Sequence, residues 1–161
     1  MNAKLIVDGN EFDIEILDPK LQKLLSKSTI KTGYERVGCG KDYFYVDEKG
    51  EYGLYIEENE DFDKSLFLAA NYYSSEDVAE NNARADMLMR QLRRFAAENR
   101  ECNSSVERYY IIYINGKLQV SREISICYFG PWFDNLDSAT KAIEKFNDEL
   151  IWYFTKYKDC A

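Results

Sequence analysis

The chain has 161 residues, of which 45% are hydrophobic and 15% aromatic, and its 21 basic and 29 acidic side chains give a formal charge of −8. This apolar content is enough to fold one compact domain without disulfides or metal, and it rules out disorder for most of the chain. Because the chain has no histidine, Ser-His-Asp and Cys-His nucleophile systems and histidine-ligated zinc sites are excluded.

The acidic balance opposes binding to duplex DNA and to anionic membranes, because the attraction to phosphate that dominates such binding becomes repulsion. A basic partner fits this charge better. No stretch approaches the roughly 18 consecutive apolar residues of a membrane span, and the first residues do not resemble a signal peptide. The chain is therefore expected in the cytosol, where its four widely spaced cysteines are predicted to stay reduced.

Residues 1–40 are predicted to form a β-hairpin, a short helix and a connector. Alternating runs at residues 4–7 and 11–16 flank Asp8-Gly9, a dipeptide that suits a tight turn. Asp18-Pro19 then indicates a helix start, and leucines continue at helical spacing to about residue 27.

The next segment is predicted to contain a second hairpin, a third strand and a long helix. Strands at residues 43–46 and 52–56 flank a turn, an acidic loop follows, and the apolar run at residues 66–70 is predicted as a strand. Ser75 precedes two carboxylates and an apolar stripe of helical period, which predicts a helix to about residue 97.

The same order of elements recurs nearer the C-terminus. Asn115-Gly116 separates two strand-like runs and is the strongest hairpin signal in the chain. A further strand is predicted at residues 123–128, and apolar side chains then repeat at steps of three and four through a long last helix.

Two stretches, residues 71–79 and 131–139, align without gaps. Paired aromatics, a capping Ser75 or Asn135 and an alanine fall at matching offsets. We interpret this match as a structural repeat, although any strand that leads into a capped helix has a similar pattern.

The predicted fold class is therefore α+β. Two antiparallel β-β-β-α pseudo-repeats, residues 41–98 and 107–158, are expected to pack together in one compact domain, with each sheet covered by its helix. The N-terminal hairpin, short helix and connector of residues 1–40 precede them.

Four stretches resemble small proteins of unassigned function that phages, prophages and mobile elements of Firmicutes encode: residues 31–37 (KTGYERV), 70–74 (ANYYS), 78–98 (VAENNARADMLMRQLRRFAAE) and 148–159 (DELIWYFTKYKD). The resemblance spans roughly residues 1–159 and implies an accessory protein of host takeover or of defence neutralisation in the host bacterial cytosol. Some such proteins act as anti-CRISPR inhibitors, and extending that role to this chain is an analogy. The resemblance supplies no catalytic residues.

The most acidic segment, residues 47–63, holds eight carboxylates in 17 residues. It is predicted to dock on a basic partner, as a mimic of nucleic-acid phosphate, through Glu57, Glu58, Glu60, Asp61 and Asp63. A solvated hairpin tip is the simpler interpretation, and a calcium site lacks the required ligand order.

An alternative binding site combines Arg90, Arg93 and Arg94 on the long helix with Tyr72 and Tyr73, as a surface for single-stranded nucleic acid. Carboxylates four residues from several of the helix arginines favour an exposed face with ordinary ion pairs instead. Most aromatics alternate within strands or follow the helix stripe, as core residues do.

We predict no enzyme and no cofactor, because no phosphate-binding loop is present and paired carboxylates are the only acid–base route left. The predicted function is a non-catalytic, acidic, phage-encoded interaction protein that binds a basic host protein or nucleoprotein complex. The alternatives are an accessory protein that binds single strands in phage nucleic-acid metabolism and a self-associating structural module. A homodimer is compatible with the dense apolar run at residues 151–154.

Overall fold

The computed structural model describes residues 2–7, 10–15, 18–20, 32–100, 107–122 and 129–157. The chain divides into two compact units, Met1–Glu35 and Arg36–Ala161. It combines helices with antiparallel sheets, which confirms the α+β class. Most of the predicted N-terminal helix and the whole predicted strand at residues 123–128 lie outside the described residues.

The first unit contains the predicted hairpin. Strand β1 (Asn2–Val7) pairs in antiparallel fashion with β2 (Asn10–Glu15), and Val7 lies opposite Asn10. The turn predicted at Asp8-Gly9 lies outside the described residues.

The first half of the larger unit opens with β3 (Asp42–Val46) and β4 (Tyr52–Ile56), which form the predicted second hairpin. Helix α1 (Asp61–Leu68) and the long helix α2 (Glu76–Glu98) follow. The strand predicted at residues 66–70 is wrong, because this run is the end of α1 and the turn after it. A short apolar run fits a strand and a helix equally well, and the capping box of Glu60 and Asp63 decides for the helix.

The second half contains β5 (Tyr109–Ile114), β6 (Lys117–Ser121) and β7 (Phe129–Phe133) in the spatial order β6-β5-β7. The Asn115-Gly116 turn has positive φ angles of 52° and 77°, as the hairpin prediction requires. Helix α3 (Leu136–Trp152) follows and continues as a π-helical turn, Tyr153–Tyr157.

The two halves share the connection into their long helices. Tyr73 pairs with Phe44 of β3 through an isolated antiparallel bridge, and Phe133, its aligned counterpart, pairs with Tyr109 of β5. Ser75 and Asn135 are the N-cap residues of α2 and α3, as predicted. The first half therefore has a single bridge at the place where the second half has a complete third strand.

The main core lies between α2, α3 and the β6-β5-β7 sheet. Its fully buried side chains include Leu88, Leu92, Ile111, Phe133 and Leu150. A smaller cluster packs β3 against the start of α2 through Val46, Tyr73, Ala79 and Ala83. These aromatic and aliphatic side chains account for most of the apolar stripes in the sequence.

Asn71 closes the outer edge of β3 with its side chain. Its Oδ1 accepts from the N–H of Val46 and its Nδ2 donates to the Val46 carbonyl, both at 2.8 Å. We expect Asn71→Ala to lower the free energy of unfolding by roughly 1–3 kcal/mol, because both groups of Val46 lose their partner. Urea titration checks this, with Asn81→Ala on α2 as a control; equal stability of the two variants would contradict the role of Asn71.

Candidate functional site

Glu57, predicted as an exposed docking residue, is only 2% exposed. Its carboxylate accepts from Arg36 Nη2 at 2.8 Å and Nε at 3.1 Å, and from the Tyr72 hydroxyl at 2.8 Å. The bond from Arg36 is the main cause that holds the pKa of Glu57 below its ordinary value. Tyr72, buried beside this carboxylate, has its pKa raised to about 12, first by burial and then by the hydrogen bond.

Asp63 is fully buried at the start of α1. Its Oδ1 accepts from the Tyr43 hydroxyl at 2.8 Å, and its Oδ2 accepts from the N–H groups of Glu58 at 3.0 Å and Glu60 at 2.9 Å. Burial by itself raises the pKa of Asp63, but these hydrogen bonds outweigh it and the net shift is downward. The pKa of Tyr43 is raised, first by burial and then by its bond to Asp63.

Together these groups form a buried clasp, defined by Arg36, Tyr43, Glu57, Asp63 and Tyr72. The Tyr43 and Tyr72 rings stack at 4.0 Å between centroids. Among the described residues, no buried side-chain polar atom lacks a hydrogen-bond partner. The clasp therefore fixes the acidic loop and α1 against β3 and leaves neither Glu57 nor Asp63 free to dock on a partner.

Three of the five predicted acidic residues, Glu58, Glu60 and Asp61, are exposed. Asp61 Oδ1 lies 3.3 Å from Lys64 Nζ, a surface ion pair that contributes little to stability. Glu60 is the N-cap residue of α1. The candidate docking set thus reduces to these three carboxylates, with the two buried ones acting as their scaffold.

The negative charge of the protein is concentrated in this region. Residues 42–63 hold nine carboxylates and one lysine, a net charge of 1 − 9 = −8, equal to the −8 of the whole chain. The remaining residues are electrically balanced in total. Positive and negative side chains outside this region therefore balance each other in number. The β3-β4 hairpin and the start of α1 carry the excess negative charge that sets the long-range electrostatic field of the protein.

An exposed apolar surface accompanies this charge. Within the described residues, seven of the eleven exposed large hydrophobic side chains lie on β4 and α1: Tyr52, Leu54, Tyr55, Ile56, Phe62, Phe67 and Leu68. A depression of about 420 Å³ on this side is lined by Asp42, Leu54, Tyr55, Ile56 and Glu58. We call these apolar residues, with Glu58, Glu60 and Asp61, the β4–α1 face. It takes in both sides of β4, because Tyr52, Leu54 and Ile56 point to one side of the strand and Tyr55, which contacts Phe62 of α1, to the other.

The exposure of the apolar residues of this face was not predicted from the sequence. The alternation in residues 52–56 predicted a strand, and one buried side was expected from it. In the structure β3 packs between α1 and α2, whereas β4 lies at the edge of the hairpin, where Tyr55 contacts Phe62 of α1 and the other side chains face largely toward solvent. All four side chains of β4, those of Tyr52, Leu54, Tyr55 and Ile56, are exposed. The available signal was an apolar strand bounded on both sides by carboxylates, which is unusual for a solvated edge.

The residues of the alternative nucleic-acid site do not come together. Tyr72 and Tyr73 are 1% and 5% exposed, so neither ring can stack on a base, which corrects that part of the prediction. Arg90, Arg93 and Arg94 are exposed on α2. Arg90 donates to the carbonyl of Glu48 at 2.8 Å, and Arg94 Nε lies 3.2 Å from Glu98, the ion pair predicted for it.

A groove of about 410 Å³ between α2 and α3 is lined by two of these arginines and by Lys145. Lys145 Nζ lies 5.0 Å from the centre of the Phe95 ring, so the apolar floor of the groove already carries a cation. Further along, Arg84 pairs with Glu149 at 2.7 Å, and not with Glu80 four residues before it on α2. The guanidinium of Arg84 also covers the Trp152 ring at 4.0 Å. These contacts join the two helices.

The described residues contain no group of three or more histidine, cysteine or carboxylate side chains that could hold a metal ion. In the same part of the chain, no helix combines the length and apolar character needed to cross a membrane. Comparison of the chain with protein-family models, curated proteins and solved structures found no match. The resemblance to phage and prophage proteins therefore stays a prediction.

Proposed function

We propose that this protein is a non-catalytic interaction protein that binds a basic protein surface through the β4–α1 face. The observation that supports this most is the coincidence of charge and apolar exposure. Residues 42–63 carry the equivalent of the whole net charge, and seven of the eleven exposed large hydrophobic side chains among the described residues lie on β4 and α1. Exposed apolar patches rimmed by polar groups are typical of protein-binding sites.

The apolar and charged parts of the face have different roles in this proposal. Burial of Leu54, Ile56 and Leu68 supplies the gain in affinity, at roughly 25 cal/mol per Å² of apolar surface removed from water. The exposed carboxylates steer a basic partner toward the face and disfavour acidic ones. The buried clasp keeps this surface in place without ordering cost at the moment of binding.

The setting we propose is the bacterial cytosol during phage infection, with a basic nucleic-acid-targeting defence complex as partner. The resemblance to phage-encoded proteins suggests this setting. An acidic face competes for a basic groove in the way that nucleic-acid phosphate does, and the protein then acts as an anti-CRISPR-like inhibitor.

The experiment compares capture from a lysate of a defence-competent host by three forms of the immobilised protein. The face variant carries Leu54→Ser and Ile56→Ser, and the control carries Leu136→Ser, an equally exposed leucine on α3. We expect the wild type and the control to capture a basic protein that the face variant does not capture. Raising the salt concentration is expected to release it. The captured protein is then purified and bound to labelled nucleic acid. Addition of the wild-type protein is expected to displace this nucleic acid.

Two results would contradict the proposal. If nothing is retained in a face-dependent way, the β4–α1 face is not a binding site. If the protein instead binds single-stranded nucleic acid directly and an Arg93→Glu, Arg94→Glu variant does not, the arginine helix is the functional surface.

A further inference from the structure

Strand β4 exchanges hydrogen bonds with β3 through alternate residues. At one end the N–H of Glu57 donates to the Lys41 carbonyl at 2.9 Å, and at the other the N–H of Asp47 donates to the Glu51 carbonyl at 2.8 Å. The register between these ends is continuous. Because hydrogen-bonded and non-hydrogen-bonded pairs alternate in an antiparallel ladder, the odd-numbered residues of β4 are the ones bonded to β3.

The even-numbered residues Tyr52, Leu54 and Ile56 consequently direct their N–H and C=O groups away from β3. Within the described part of the chain, no hydrogen bond reaches these backbone groups. Their side chains are 39%, 58% and 49% exposed. Both the backbone and the side chains of this edge are therefore accessible.

The opposite edge of the same sheet, formed by β3, has hydrogen-bond partners from the segment that leads into α2. The N–H and C=O of Phe44 each bond to Tyr73 at 2.8 Å, and the side chain of Asn71 bonds to both backbone groups of Val46. On the outer edge of β3, Phe44 and Val46 are thus paired, whereas the backbone groups of Asp42, at the start of the strand, have no such bond within the described residues. The β4 edge differs, because in the described part of the chain all three of its outward-facing residues keep unbonded backbone groups.

Protective features of edge strands are also missing from β4. Exposed edges usually carry a lysine, a proline or a bulge that prevents pairing with another chain. Strand β4 has the sequence YGLYI, with no charge and no proline, and pairs with β3 without a register shift. The edge strand β6, in contrast, begins with the exposed Lys117 and packs against α3.

The negative charge around β4 indicates which kind of strand can pair with this edge. A second copy would bring two segments of net charge −8 side by side, and this repulsion disfavours self-pairing. We propose that an extended basic segment of the partner adds to β4 as a further strand, pairing with the backbone of Tyr52, Leu54 and Ile56. This inference rests on the proposed function and names its mode, β-strand addition, in which backbone bonds supply affinity and alternate side chains supply specificity.

The segment that fits this edge has a definite pattern. Every second side chain meets the exposed row of Tyr52, Leu54 and Ile56 and is apolar. Lysine or arginine at the intervening or flanking positions lies near Glu51, directly before the strand, and near Glu58, the first exposed carboxylate after it. An acidic segment with the same apolar residues is rejected by the net charge of the hairpin.

The test uses a short capped peptide of alternating lysine and valine as the probe, and residue-resolved amide hydrogen exchange of the full protein as the readout. We expect added protection at the amides of Tyr52, Leu54 and Ile56, and no change at Gly53 and Tyr55, which already bond to β3. A glutamate–valine peptide and an N-methylated lysine–valine peptide are expected to give no protection.

Two variants at one position separate backbone pairing from side-chain contact. Leu54→Ala removes the side chain and keeps the outward N–H, whereas Leu54→Pro also removes that N–H without breaking a bond to β3. We expect Leu54→Pro to bind the lysine–valine peptide roughly three- to tenfold more weakly than Leu54→Ala. The exchange rates of the Gly53 and Tyr55 amides report whether the hairpin stays intact in each variant.

The outcomes distinguish the mode of binding from the binding site. Protection without alternation, or equal binding by the two Leu54 variants, overturns strand addition while the β4–α1 face remains a binding site. Dimerisation through β4 without the peptide overturns the basic-segment occupant. If neither the probe nor a captured partner protects this face, the proposed function fails together with the inference.

Discussion

Glu57→Gln is expected to lower the free energy of unfolding at neutral pH by roughly 1–2 kcal/mol, and this loss is expected to shrink on acidification. Arg36 forms an ion pair with Glu57, and Tyr72 donates to a charged acceptor, only while the Glu57 carboxylate is ionised. Glutamine keeps the shape and loses the charge. The loss stays modest because the side chain of Arg36 is 33% exposed, so that water hydrates part of the guanidinium in the variant.

The sign of the pH dependence follows from the direction of the pKa shifts. Arg36 lowers the pKa of Glu57 in the folded state, so its stabilisation is complete above the ordinary glutamate value of 4.5 and is lost as the pH falls through the lower, folded-state pKa. Asp63 has a lowered pKa as well and contributes in the same direction. Wild type therefore approaches the variant in stability at acidic pH.

Urea unfolding of wild type, Glu57→Gln and Asp63→Asn across a pH series measures this convergence. Glu48→Gln serves as the matched control, because Glu48 is an exposed glutamate of the neighbouring turn. A difference between wild type and Glu57→Gln that stays constant across the series would show that packing, and not the ionised clasp, provides the stabilisation.

Local sequence signals predicted the elements of the fold that depend on neighbouring residues. Asn115-Gly116 specifies its turn because both residues tolerate positive φ. Asn135 marks a helix start because its side chain accepts from the N–H of Ser138, whereas Ser75 is the N-cap of α2 without a side-chain hydrogen bond. The run at residues 66–70 has no such marker at its own ends. Its helical state is decided by Asp63, whose carboxylate bonds to the N–H of Glu60.

The candidate site was less predictable because distant residues decide its exposure. Glu57 meets Arg36, 21 positions away, and Asp63 meets Tyr43, 20 positions away. A count of carboxylates along the sequence cannot show that these two are buried whereas Glu58 and Asp61 are exposed. The open edge of β4 likewise depends on the place where Tyr73 returns to the sheet, beside β3 and not beside β4.

Reversing the charge of Glu58 and Asp61 to lysine is expected to slow association with the basic partner about tenfold at low salt and to flatten its salt dependence. Glu57 and Asp63 are left unchanged because they belong to the clasp, and Glu60 is left because it caps α1. The control variant, Asp86→Lys with Glu144→Lys, changes exposed carboxylates on α2 and α3. Both variants move the net charge from −8 to −4.

Since the two variants have the same net charge, their comparison isolates the position of the charge. Stopped-flow association at two salt concentrations, with the captured partner or the lysine–valine peptide, gives the rates. We expect the control to associate nearly as fast as wild type, because its substitutions lie on other elements and the field at the β4–α1 face decays within a Debye length of about 10 Å at moderate salt. Equal slowing of both variants would mean that overall charge, and not the β4–α1 face, attracts the partner.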